Sequence, residues 1–386
     1  MSKKAVIVTP FDNYSYNVRV KYIERSFASL GYDVVVLSAD FDHRKKCHYD
    51  AHRDNLELLH VPEYKSNLSF QRMYSHYCFA KAVYGRIKEI NPDFIYGSTP
   101  PNSLVKFLAK YKKEISTVKL VFEVGDLWPE TLPLSGKIKM VATPALGVWQ
   151  RLRDNYIAKG DGLICECNLF KYVIGKHAKI DNALTIYLCK EDQWSDAFAP
   201  KEVGDTLNFA YVGSINNIID IDLIVGFLVA VQNKRKVHFD IIGGGENAER
   251  LIQLCDSVNI DYINHGIVYD EKMKCDILGK CQFAFNIMKT SVVVGATMKS
   301  LEYFHSGLIL INNITSDTVE IINRYDCGYN LQEIGFEEAV QRVVDLTKEE
   351  IFKKQLASRK VFTDLFDERV ITNQFTKYIE KICAKF

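Results

Sequence analysis

The chain has 386 residues, more than one ordinary core accommodates, and 47% of them are hydrophobic, so two packed domains are expected. Lys and Arg (49) almost balance Asp and Glu (48), and a net charge of +1 removes the overall basic field with which nucleic-acid binders meet phosphates. The ten cysteines are scattered, with no C-x-x-C pair and no histidines at zinc spacing, so they read as small buried hydrophobes in a reducing compartment.

The N-terminus, "MSKKAVIVTP", runs from two lysines straight into a strand at 5–10, without the pattern of a secretory signal. Helical spacing follows over 18–32 and ends at Gly31, a C-cap glycine. Residues 33–40 read as the next strand. The stretch 40–54 concentrates His43, Arg44, Lys45, Lys46, His48, His52 and Arg53. It reads as a solvated loop, with an anion-holding surface as the alternative, and the bulky charges between its histidines argue against a metal site. Further strands are expected at 94–101, 120–129 and 161–167, where Cys165 and Cys167 would share a face. Between them, 136–160 reads as a core-facing helix with a basic outer side rather than one lying on a membrane.

A polar stretch, 190–205, separates a second series of strands at 207–215, 237–246, 261–268, 283–289 and 308–314. The segment 366–386 is helical. The longest apolar run, Leu223 to Val231, is too short to span a bilayer. Strands alternating with helices predict an α/β chain of two doubly wound parallel sheets. The expected domains are 1–190 and 205–365. The chain reads as cytoplasmic, with contact at the inner face of the cell membrane left open.

In open parallel sheets ligands bind beyond the carboxyl ends of the strands, and two such sheets facing each other would line a cleft. In the second half those ends are glycine-rich: Gly213 with Ser214, then Gly243, Gly244 and Gly245, then Gly266. Such turns let backbone amides approach a phosphate, although a tight strand-to-helix turn explains any single glycine equally well. Neither a G-x-G-x-x-G nor a G-x-x-x-x-G-K-[ST] pattern is present. "GATMKSLEYFHSG" (295–307) puts Lys299 in the first turn of a helix, where the helix dipole disfavours a cation unless an anion meets it. Glu302, one step on, could accept two hydrogen bonds from a diol. A nucleoside diphosphate offers both partners; an intrahelical Lys–Glu pair worth tenths of a kcal/mol is the plain alternative. In the first half "FEVGDLWPE" carries Glu123, Asp126, Trp128 and Glu130. Asp126 could orient an acceptor hydroxyl while the indole packs on a sugar; the alternative is a helix N-cap. "STPPNS" (98–103) reads as a rigid turn in which Asn102 or Ser103 caps the next helix.

Taken in order, "SADFDHRKK", "VPEYKSNLSFQRMYSH", "GSTPP", "FEVGDLWPE", "FAYVGSI", "DIIGGGE", "HGIV" and "KSLEYFHSG" resemble the retaining glycosyltransferases of family 4 over nearly the whole chain. Within them the chain looks closest to bacterial enzymes that build cell-surface polysaccharides. The resemblance implies the two-Rossmann GT-B architecture, with acceptor on the first domain, nucleotide-sugar on the second, and the helix 366–386 packing back on the first. It implies a hexosyl transfer from a UDP- or GDP-sugar to a glycan or lipid-linked acceptor, with retention, no cofactor and no metal. Glu302 matches the second acid of the family's Glu-seven-residues-Glu motif, the one that holds the ribose, and Gly307 follows where expected. Val294 stands at the place of the first acid, and Ser214 with "NNIIDID" replaces the basic pair that follows the "Y-x-G" strand. Lys299 or Lys289 would then neutralise the diphosphate, with the amides of Gly213, Ser214 and Gly243 to Gly245. His265 and Thr297 complete the expected nucleotide site, and Asp126, Glu302 and Lys299 the expected catalytic set. The departures keep two alternatives open: a silent GT-B subunit that activates a partner transferase, and a sugar-nucleotide epimerase.

Overall fold

The computed structural model describes residues 2–11, 18–132, 136–194, 198–201 and 203–384. It divides into two compact units, Met1–Tyr187 with Ile371–Phe386, and Leu188–Val370.

In the first unit the chain winds outward from β1 (Lys3–Val8) through α1 (Val18–Ser29) to β2 (Tyr32–Ala39). It then makes a small hairpin, β3 (Phe41–Asp42) and β4 (Cys47–His48), and reaches β5 (Leu56–Leu59) at one edge. The long α2 (Phe70–Ile90) returns it to the other side of β1, where β6 (Phe94–Thr99), α3 (Asn102–Glu114), β7 (Lys119–Val124), α4 (Gly136–Ile157), β8 (Gly162–Cys165), α5 (Asn168–Gly175) and β9 (Ala183–Thr185) follow. The resulting parallel sheet has the order β5-β2-β1-β6-β7-β8-β9 and reverses direction between β1 and β6. Its central strands are buried on both faces, which is why they read as unbroken β-branched runs.

The second unit repeats the plan. β10 (Leu207–Val212), α6 (Ile221–Gln232), β11 (Val237–Ile242), α7 (Ala248–Ser257) and β12 (Tyr262–Gly266) wind one way. After α8 (Glu271–Leu278), the run β13 (Phe283–Asn286), α9 (Met298–His305), β14 (Ile309–Asn312), α10 (Asp317–Tyr325) and β15 (Gly328–Asn330) winds the other. The order is β12-β11-β10-β13-β14-β15, all parallel, with the reversal between β10 and β13. Phe209 on β10 stacks on Phe283 and Phe285 of β13 at 5.0 and 5.4 Å, which ties the two windings together at that reversal. Each such buried ring stabilises the fold by about 1.5–3 kcal/mol. α11 (Leu331–Ile334), α12 (Phe336–Asp345) and α13 (Lys348–Leu365) complete this unit.

From Ile371 onward α14 (Glu368–Ala384) packs within the first unit. Ile371, Phe375, Tyr378, Ile379 and Ile382 form its buried stripe at helical spacing. The Tyr378 hydroxyl donates to the Asn182 carbonyl at 2.6 Å. A Cβ at Gly162 would lie 2.1 Å from that hydroxyl oxygen, so the β8 glycine is a packing requirement.

Two local expectations are corrected. α4 does not turn its apolar side inward: Met140, Val141, Val148 and Leu152 are exposed, while the charged Arg153 and Asp154 are buried against each other and Glu130. Neither Asn102 nor Ser103 caps α3. Asn102 Nδ2 donates to the Trp128 carbonyl at 2.7 Å and Ser103 Oγ to the His76 carbonyl at 3.1 Å, so both fasten neighbouring segments instead.

Candidate active site

Where a doubly wound sheet reverses, adjacent strands splay and leave a crevice at their carboxyl ends. In the second unit α9 sits over that crevice, pinned by one side chain: the Tyr303 hydroxyl accepts the Val212 N–H (2.9 Å) and donates to the Phe285 carbonyl (3.2 Å). The start of α9 is fixed independently. Thr297 caps it, exchanging hydrogen bonds with Ser300, and its hydroxyl donates to Asn286 Oδ1 at 2.9 Å. Asn286 is the first rung of a buried amide ladder, Asn286–Asn312–Asn330, across the ends of β13, β14 and β15. Thr297 is therefore spent on capping, and its expected nucleotide contact is not what its hydroxyl does.

This scaffold places Lys299 against the end of β10. A Cβ on Gly213, whose φ is +117°, would meet Lys299 Cε at 3.2 Å, and the ammonium lies 5.5 Å over the Tyr211 ring. No carboxylate pairs with Lys299 among the described residues, so the intrahelical pair with Glu302 does not form. Burial alone pulls its pKa from 10.5 down to about 8. The glycine turn after β11 packs backbone to backbone on the same spot: a Cβ at Gly243 would lie 2.0 Å from the Gly213 carbonyl oxygen, and one at Gly245 2.7 Å from that of Ile215. The amides of Gly213 and Gly243 are consumed by the Ile242 and Gly266 carbonyls. Those of Ser214, Gly244 and Gly245 make no hydrogen bond among the described residues. The end of β10 thus carries a half-buried ammonium that pairs with no carboxylate among the described residues, and the adjoining turns hold three amides without a hydrogen-bond partner among those residues, a constellation suited to a diphosphate.

Glu302 is not idle. Its Oε2 accepts from Lys190 Nζ at 2.6 Å and its Oε1 from Lys274 Nζ at 3.2 Å; Glu271 joins both lysines to close a four-membered charge cluster. Each oxygen keeps one lone pair for a hydroxyl. Two further expected nucleotide contacts have partners of their own within the unit. His265 Nε2 is 2.7 Å from Asp240 Oδ1, tied to the flank of β11, and Lys289 is exposed, with its backbone N–H on the Ile218 carbonyl.

In the first unit the segment after β7 is folded around Asp126. The Trp128 indole N–H donates to Asp126 Oδ2 at 2.8 Å and the Thr131 hydroxyl to Oδ1. Asp126 therefore organises a turn and is not the N-cap of α4, which begins ten residues later. Burial raises its pKa, opposed by those two donors and by Arg72. The Arg72 guanidinium lies 4.5 Å over Trp128 and His76 packs beside the same indole. The other two acids of this stretch are committed: Glu123 to the Arg19 guanidinium and Ser98, Glu130 to Arg153.

A further acid went unnoticed in the sequence. Glu166 follows β8, and its Oε2 lies 3.4 Å from where a Cβ on Gly125 would stand. Burial pushes its pKa up to about 7, helped by the neighbouring Asp126 charge and opposed by Arg19. A carboxyl whose folded pKa exceeds its unfolded one, 4.5, binds its proton more tightly in the native state, so it destabilises the fold as pH rises from there through 7. Glu166→Gln is accordingly expected to gain about 1–3 kcal/mol at pH 8 and nothing at pH 4, measured by urea unfolding. Equal gains at both pH values would show that Glu166 is not the titrating group.

Two units, each a doubly wound parallel sheet, define a class, the GT-B architecture of two Rossmann-like units. The sequence itself matches no protein-family model and no curated protein. Solved structures match over essentially the whole chain. A sucrose-phosphate synthase from Thermosynechococcus elongatus superposes with a TM-score of 0.71 at 11% identity, covering 100% of each chain. Anabaena Alr3699/HepE in complex with UDP gives 0.68 at 12% identity, covering 98% of this chain and all of the other. The lipopolysaccharide outer core galactosyltransferase WaaB gives 0.66 at 14%, covering 98% and 99%.

Proposed function

We propose that the protein is a glycosyltransferase that moves a sugar from a nucleoside-diphosphate sugar to a lipid-linked or glycan acceptor. The observation that carries this reading is Lys299, a half-buried ammonium that pairs with no carboxylate among the described residues, held at the sheet reversal near the amides of Ser214, Gly244 and Gly245, which make no hydrogen bond among the described residues. Solved proteins of the same fold hold UDP, and one bears UDP-2-fluoro glucose. The second unit takes the donor. As the glycosidic bond breaks, charge grows on the diphosphate, and Lys299 with those amides stabilises it. Glu302 accepts from the ribose diol.

The first unit takes the acceptor, with Asp126 orienting its hydroxyl. The acceptor oxygen attacks from the side of the leaving group, and its proton passes to the departing phosphate oxygen, giving retention, as the resemblance to family 4 implies. A mostly apolar cavity of about 300 Å³, lined chiefly by Leu68, Phe70, Met73, Trp128, Leu132 and Trp149, shares Trp128 with the turn around Asp126. Phe70 is 93% exposed, an unusual position for a ring that has no apolar partner to meet. With the outward apolar side of α4, this favours a lipid-linked acceptor used at a membrane surface in polysaccharide assembly. No described helix is long and apolar enough to cross a membrane.

The test is release of nucleoside diphosphate from a panel of UDP- and GDP-sugars, with and without polyprenyl-linked acceptors. Turnover that needs both partners supports the reading. Tight nucleotide binding with no turnover under any pairing would assign the chain to the silent-subunit alternative, to which Val294 lends substance. Glu302→Gln is expected to weaken UDP binding about 10-fold, because one charge-assisted hydrogen bond to the ribose is lost. Unchanged affinity by calorimetry would remove Glu302 from the donor site.

A further inference from the structure

The carboxyl ends of β2 and β5 and the β3–β4 hairpin bring together three side chains distant from the site above in sequence. Asp40 follows β2, His60 follows β5, and His48 closes the hairpin. His60 Nδ1 lies 2.7 Å from Asp40 Oδ2, and His48 Nδ1 lies 3.1 Å from Asp40 Oδ1. One donor atom from each residue falls within 4.8 Å of the other two. The two imidazoles stack, with centroids 5.0 Å apart and planes 24° from parallel, so both Nδ1 atoms are turned toward the same carboxylate. His48 Nδ1 is enclosed yet makes no hydrogen bond, while Asp40 Oδ1 accepts the Val61 N–H at 3.0 Å. The opposite nitrogen of the same ring, Nε2, faces Glu63 Oε1 at 3.6 Å.

We propose that Asp40, His48 and His60 form a binding site for one divalent transition-metal ion of the zinc type. Two imidazoles and a carboxylate are the donor set such ions prefer. With metal–ligand bonds of about 2.0–2.1 Å, the edge of a tetrahedron is about 3.3 Å. The 2.7 and 3.1 Å separations run to different oxygens of Asp40, and the single donor atom that each residue offers lies within 4.8 Å of the other two, so binding draws the three together toward that spacing. Glu63, 3.6 Å from the second nitrogen of His48, is too far to hydrogen-bond it and contributes negative charge to the site. Asp40 and Glu63 together balance a dication. The His60 side chain is 80% exposed, which gives the ion a way in and leaves its fourth position to water or a ligand.

The ion would pin three elements that otherwise meet only through short strands. The consequence reaches the acceptor side. Phe41, next to Asp40 and the first residue of the hairpin, packs on Tyr64 at 4.7 Å, and the Arg72 guanidinium that covers Trp128 also lies 5.7 Å over the Tyr64 ring. Of the three histidines that stand out in the basic loop, only His48 belongs to the site. His43 Nδ1 is 2.8 Å from the Tyr64 hydroxyl, and His52 is exposed beside Asp50.

The experiment is calorimetric titration of Zn²⁺ into the full chain after chelator treatment, with Co²⁺ absorption as a second readout. One ion per chain is expected, with a rise in thermal unfolding temperature and visible ligand-field bands for Co²⁺. His60→Ala, a surface change that the fold tolerates, should abolish all three effects. Glu63→Gln, which removes only a nearby charge, should weaken binding far less than His60→Ala does. Cys47→Ser should leave it intact, since the exposed Cys47 thiol is not in the donor set. Absence of one-to-one uptake by the native protein, uptake that survives His60→Ala, or its loss in Cys47→Ser would overturn the site. None of these readouts depends on glycosyl transfer.

Discussion

Lys299→Met is expected to weaken binding of UDP or GDP about 10- to 100-fold, the worth of one charge-assisted contact to phosphate. Methionine keeps the aliphatic stem that packs on Gly213 and Tyr211, so the loss isolates the ammonium. The pH dependence gives a second, sharper signature. Burial holds the free amine near pKa 8, below its ordinary 10.5, and a bound diphosphate would raise it again. Native affinity should therefore be flat below pH 8 and fall up to tenfold per unit above it, while the Met variant shows no such fall. Stability moves the other way. A lysine whose folded pKa is depressed destabilises the native state fully below pH 8, and that penalty fades as pH rises toward 10.5. The variant should gain about 1–3 kcal/mol near pH 7, so weaker binding cannot be blamed on unfolding. Calorimetry at pH 7 and 9 with urea unfolding checks both; unchanged affinity at pH 7 would show that no phosphate meets this lysine.

The elements that could be read in the sequence are those whose signal is local. β1, β6, β7, β10 and β11 are double-faced buried strands, and their β-branched runs end at turn residues where the structure ends them. β5 and β9 are short and only half-buried at a sheet edge, so they carried no such pattern. The same division holds at the site. Lys299 was visible because a cation at a helix start after a strand violates a local rule. The partners of Glu302 were not, since Lys190 lies 112 residues away and reaches it only through the tertiary fold. Glu166 was hidden because its meaning comes from Gly125, just past the end of the neighbouring β7, and His60 because Asp40 sits across a parallel strand pair. Thr297 shows the opposite failure. The spacing of Thr297 and Ser300 is a cap signature in its own right, and a local role was passed over for a functional one.

Asp126→Asn is expected to lower transfer about 10²-fold, the cost of misplacing an acceptor hydroxyl that the carboxylate orients, while UDP affinity stays at the native value. The amide can still accept from either Trp128 or Thr131 through its one oxygen, so the turn after β7 loses one hydrogen bond rather than its architecture. Donor hydrolysis without acceptor should be unaffected, which distinguishes loss of acceptor handling from loss of the donor site. The competing candidate is Glu166, whose carboxyl is pushed up to about 7 in the same corner of the first unit. If Glu166 handled the acceptor, transfer would show an acid limb near pH 7 that Glu166→Gln removes together with most of the rate. If Asp126 does, Glu166→Gln retains the rate. The pH profile of transfer in the two variants thus decides which carboxylate faces the hydroxyl, and native rates in both would move the acceptor away from β7 and β8 altogether.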